Sequence, residues 1–110
     1  MLDEGRYFVW FNTPLGQGAG EVQFLPDGSL IGGDTNFAYS GCWRRIGPRF
    51  KAEFCAQRIA PGPPGVFGLD KADVVVSGIA TGDPTISGTG FAKQAPGLQL
   101  NFMLNRMDER

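Results

Sequence analysis

The sequence predicts an all-β domain, a small antiparallel up-and-down barrel of eight strands with a short helical turn, spanning residues 1–110 as a single unit. Three observations carry that expectation. Glycine supplies 17 of 110 residues, about twice its usual ~7 % share, and glycine weakens helices while serving turns and bends. Eight short runs follow one another between clusters of Pro, Gly and Asp, as strands do in all-β chains. Within several runs apolar and polar residues alternate, so one face is buried and the other wetted.

The predicted strands, in order, are RYFVWFN (6–12), GAGEVQFL (18–25), GSLIGG (28–33), NFAYSGCWRRI (36–46), FKAEFCAQRI (50–59), DVVVSGIAT (73–81), TISGTGFAK (85–93) and LQLNFMLNR (98–106). Turn chemistry separates them at PDG (26–28), GDT (33–35), GP (47–48), GDP (82–84) and PG (96–97), where Pro and Asp preset dihedrals and Gly supplies positive φ. Alternation is clearest in three strands. Phe50, Ala52, Phe54 and Ala56 share one face; Leu98, Leu100, Phe102 and Leu104 share another; Phe37, Tyr39 and Trp43 share a third. Links this short favour a meander of hairpins. Closure into a barrel removes the two exposed edges of an open sheet; a two-sheet sandwich is the alternative. Gly78, Gly88 and Gly90 fall inside strands, where glycine marks bends. The segment APGPPGVFGLDKA (60–72) is too proline-rich for a strand. It is expected to form an ordered loop or one helical turn, with Val66, Phe67 and Leu69 closing an end of the barrel.

The hairpin 36–59 invites a register. A four-residue loop over 47–50 sets Arg44 against Glu53, Trp43 against Phe54 and Cys42 against Cys55. A two-residue Gly47-Pro48 turn sets Arg44 against Lys51 instead, a like-charge pair, so the first register is expected. It places the two thiols within disulfide reach, although they are expected to be free in a reducing compartment.

Composition excludes several kinds of chemistry. The chain has no histidine, which removes the Ser-His-Asp and Cys-His pairs and the commonest general base. Two cysteines do not complete a structural zinc site. GGDT reads as a tight turn in which Asp34 bonds its own backbone, with no acid–base partner evident beside it. GQGAGE (16–21) precedes a strand, so it lacks the helix N-terminus a phosphate loop needs. No catalytic residue, metal or cofactor is therefore expected. A net charge of −1 without a basic tract argues against nucleic acid. No apolar run approaches the ~20 residues of a membrane helix, and the acidic start MLDEGRYFVWF is unlike a signal peptide. The expected location is the cytoplasm.

Two candidate sites remain. Arg44, Arg45, Arg49 and Lys51 gather at one hairpin tip, and guanidinium groups grip carboxylates. Arg44, Arg45 and Arg49 are the candidate docking residues for an acidic protein partner. Inside, a closed eight-strand barrel is either packed solid or holds a small apolar ligand. Tyr7, Phe24, Tyr39, Trp43, Phe54 and Phe102 are the candidate ligand-binding residues, with Val9, Phe11 and Phe37 also inward. Their bulk favours a filled core, while Ala52, Ala56, Gly88 and Gly90 leave room for a modest cavity.

The order DEGRYFVWF, GQGAGEVQFLPDGSLIGGDTNFAYSG, then a strand ending in QRI resembles the GrlR family of small bacterial regulators, over roughly the first 58 residues. The features carrying it are Gly5, Tyr7, Gly18, Gly20, Gly28, Gly32-Gly33-Asp34, Tyr39 and Gly41. The second half matches loosely, through VFG and Gly88-Thr89-Gly90. The resemblance implies a reduced, lipocalin-like barrel with a short helix, a homodimer, and negative regulation of type III secretion by binding a transcriptional activator. The family's best-known member uses an acidic motif between its fourth and fifth strands; here that place reads RRIGPR. The leading expectation is thus a non-enzymatic, protein-binding regulator, and the alternative a carrier or sensor of a small apolar ligand. An exposed side carrying Phe8, Trp10 and Met103 would suit the dimer face.

Overall fold

The structure, a computed structural model, describes residues 4–79 and 85–107. Eight strands form one closed antiparallel barrel: β1 (Gly5–Thr13), β2 (Gly16–Phe24), β3 (Ser29–Gly33), β4 (Phe37–Ile46), β5 (Arg49–Arg58), β6 (Lys71–Ile79), β7 (Thr85–Ala92) and β8 (Ala95–Arg106). Each pairs with its neighbour in sequence, and β1 closes on β8, with Val9 opposite Leu104 and Phe11 opposite Phe102. No free edge is left, which resolves the barrel against the sandwich. The expected turn at 82–84 lies outside the described residues.

The inward faces are the ones alternation picks out. Tyr7, Phe24, Tyr39, Phe50, Ala52, Leu100, Phe102 and Leu104 are buried in one core. The turns follow their residues. At the β2–β3 hairpin Gly28 adopts φ 90° and donates its N–H to the Leu25 carbonyl at 3.0 Å, while Asp27 Oδ1 accepts from the Ser29 N–H at 2.9 Å and its hydroxyl at 2.6 Å.

Three expectations are corrected. The β4–β5 register places Arg44 opposite Lys51, Ile46 opposite Arg49 and Cys42 opposite Glu53. Gly47 at φ 60° and the ring-fixed Pro48 make a two-residue hairpin turn, whose twist suits the strands. The interior agrees with it, because Trp43 now faces Ala52 and Phe54 faces Gly41, each large side chain opposite a small one. The Arg44–Lys51 pair is exposed, where charge pairs are worth only about 0–1 kcal/mol. Cys55 consequently faces Ser40, and both thiols are free.

Second, the segment after β5 forms no helix. A single turn closes between the Gly68 N–H and the Gly65 carbonyl at 2.9 Å, because three prolines and three glycines in 61–68 cannot sustain a helical ladder. Third, β8 begins at Ala95 rather than 98, and the turn before it is Lys93-Gln94. A register shift between Gly90 and Ala92 leaves Pro96 and Gly97 outside the ladder, where a missing N–H costs no pairing.

Candidate functional site: a half-filled barrel

The interior is divided along the barrel axis. At the end holding the start of β1, the end of β8 and the β2–β3 and β4–β5 turns, aromatic rings fill the lumen edge to face. Phe24 is central, with ring centroids 5.4 Å from Tyr7, 5.3 Å from Trp43 and 6.4 Å from Phe50; Phe50 lies 6.0 Å from Phe102. Trp43 Nε1 donates to the Leu25 carbonyl at 3.1 Å, and Arg106 donates to the Tyr7 hydroxyl at 3.1 Å. The glycines of β6 and β7 make room for this plug. A Cβ at Gly78 would collide with the Phe50 ring, and one at Gly88 with the Phe102 ring and the β6 backbone.

Towards the other end the smaller side chains of Val9, Ala52, Ala56 and Val74 line the lumen too, and a cavity of about 280 Å³ opens. Its walls include Phe11, Phe37 and Phe54, and its roof is the segment after β5, through Val66, Phe67 and Leu69. These three residues pack against the core, as expected from sequence. Arg58 holds the roof in place. Its Nε reaches Asp70 Oδ1 at 2.8 Å, its Nη1 the Ala60 carbonyl at 3.1 Å and its Nη2 the Pro63 carbonyl at 2.8 Å, and the guanidinium lies 4.7 Å from the centroid of the Phe37 ring. Asn36 Nδ2 donates to the Pro61 carbonyl at 3.0 Å, and the Thr13 hydroxyl donates to the Val66 carbonyl.

Polar groups line the cavity near this roof: Gln17, Asp34, Thr35, Asn36 and Tyr39. Asp34 is hydrogen-bonded to two of them, Asn36 and Tyr39. Its Oδ1 accepts the backbone N–H groups of Asn36 and Phe37, both at 2.8 Å, the expected turn contact. Its Oδ2 accepts the Tyr39 hydroxyl at 2.6 Å, so a titratable partner that the linear sequence did not reveal stands five residues away. Burial above all, then the hydrogen bond to Asp34 and its negative charge, pushes the Tyr39 phenol far above its ordinary value. It therefore stays a protonated donor across physiological pH.

Of the six candidate ligand-binding residues, Phe24, Tyr39, Phe54 and Phe102 line the cavity, whereas Tyr7 and Trp43 belong to the aromatic plug. Ala52 and Ala56 line it too, as their size suggested; Gly88 and Gly90 do not. No protein-family model matches the chain, and no curated protein matches it significantly.

The basic tip is split. Arg44 and Arg49 lie with Lys51 and Ile46 on the outer face, beside Ser77, Ile79 and Thr89. Arg45 follows the inward parity of Tyr39 and Trp43 and donates from Nε to the Gly47 carbonyl at 2.8 Å. Around the wall, Phe8 (54 % exposed), Trp10 (41 %) and Met103 (38 %) form an apolar stripe, with Trp10 directly opposite Met103.

Proposed function

We propose that the protein is a container for a small apolar molecule, lipocalin-like in plan, acting as a carrier or sensor without chemistry of its own. The observation that carries this reading is the cavity of about 280 Å³ beneath the roof. A cavity of about 150 Å³ lined by apolar side chains stays dry and takes benzene, so this one has room for roughly twice that many heavy atoms. Aromatic and aliphatic walls with a few convergent polar groups are the usual make-up of such sites.

Native mass spectrometry of protein isolated from its own cells, first under gentle and then under denaturing conditions, tests it. The expected result is a small mass released on denaturation, with occupancy reduced in Ala56→Leu, whose side chain narrows the cavity. Wild-type protein that is bare and takes up neither n-octanol nor naphthalene would overturn the reading.

The outer wall favours a second reading, a cytoplasmic, protein-binding regulator of the GrlR kind. Its support is the stripe of Phe8, Trp10 and Met103, and the occupant proposed is a second copy of the chain. Arg6 and Glu21 beside the stripe pair with each other at 3.3 Å, so among the described residues these two charges offset one another and select no partner of opposite sign. Arg44 and Arg49, with Lys51, are the residues proposed to meet an acidic partner. Arg45 is set apart from them by its inward parity.

A further inference from the structure

Resting on the container reading, we infer that the cargo is an apolar molecule carrying a protonated amine, and that Asp34 is the group that receives it. Among the described residues the ionisable side chains lining the cavity are Asp34 and Tyr39, and the Tyr39 hydroxyl donates a hydrogen bond to Asp34. No lysine or arginine lines it among the described residues. The nearest guanidinium in the roof, that of Arg58, is engaged by the Asp70 carboxylate and two carbonyls. A carboxylate cargo would thus bring a second negative charge beside the half-buried Asp34, and no cation among the described residues lines the cavity to offset it.

Asp34 also has capacity left for a donor. A carboxylate offers about four acceptor positions. Two on Oδ1 are taken by the Asn36 and Phe37 N–H groups and one on Oδ2 by Tyr39. An ammonium is a three-fold donor without acceptor capacity, and its bond to a carboxylate is charge-assisted and roughly twice as strong as a neutral one. The three existing bonds hold the carboxylate at the polar end of the cavity, so little ordering is needed on binding.

The test compares three probes with one chain and different heads, n-octylammonium, n-octanol and octanoate, by calorimetric titration at pH 7. Wild-type protein is expected to bind octylammonium at least about tenfold more tightly than octanoate, with octanol between them. Asp34→Asn should lower octylammonium affinity by about tenfold while changing octanol affinity less than about threefold. The asparagine oxygen can still accept the turn N–H groups, and retained octanol binding reports an intact cavity. Octanoate binding as tightly as octylammonium in the wild type would overturn the assignment and leave the container standing. Failure of all three probes would overturn the container itself. Should Asp34→Asn not fold, the wild-type comparison decides alone: an octylammonium preference of about tenfold or more over octanoate supports the assignment, and a ratio near one overturns it.

Discussion

Asp34 and Tyr39 show how a turn residue acquires a second task. The carboxylate first satisfies two backbone N–H groups of the β3–β4 connection, which is what its place after two glycines suggests. The 2.6 Å bond from Tyr39 then ties that connection to the core. The phenol holds its proton more tightly in the folded chain than in the unfolded one. Its contribution to stability is therefore present below the ordinary tyrosine value of about 10 and is lost as the pH rises above that value. Tyr39→Phe is expected to be about 1–2 kcal/mol less stable at pH 7 and to lose less between pH 7 and 11 than wild type. Denaturant unfolding at both pH values checks this; equal losses in the two proteins would show that Tyr39 does not carry the alkaline sensitivity.

Among the strands, β4 and β5 show what sets a register. Charge pairing in the sequence favours Arg44 against Glu53, but the pairs found place Trp43 over Ala52 and Phe54 over Gly41. Packing volume in a closed lumen outweighs a screened surface pair, since overpacking costs about 1–3 kcal/mol and exposed charges about 0–1. A Cβ at Gly41 would meet the Glu53 carbonyl and the Phe54 backbone, whereas one at Gly97 meets nothing within 4 Å. Gly41→Ala should accordingly cost about 2 kcal/mol or more, and Gly97→Ala less than about 0.5 kcal/mol. Thermal melts of the two variants decide the matter, and similar midpoints would contradict this packing. Small residues opposite large ones were visible in the sequence; which small residue meets which ring depends on the two-residue turn at Gly47-Pro48.

For the whole barrel, the division into plug and cavity follows from where volume is concentrated. Phe24, Trp43, Phe50 and Phe102 converge at one end from β2, β4, β5 and β8, while at the other alanines and valines stand between Phe11, Phe37 and Phe54 and leave space. The outer wall carries the remaining apolar surface. If the stripe is a self-association face, Trp10→Glu should shift wild-type dimers to monomers in sedimentation analysis, because burying an unpaired carboxylate is costly. A wild-type protein that sediments as a monomer at all concentrations would remove the dimer.

The eight strands, their inward faces and most of their bounds were legible in the linear chain, because alternation and turn residues act between near neighbours. The same local signals placed Val66, Phe67 and Leu69 over an end of the barrel. Only the tertiary structure decided the register of β4 on β5, the separation of Tyr7 and Trp43 from the cavity lining, and the division of Arg45 from Arg44 and Arg49. It alone also brought Asp34 to a cavity roofed by residues about thirty positions further on. A void is the difference between the space a closed sheet encloses and the side chains that several distant strands place there. No single stretch of sequence contains that difference.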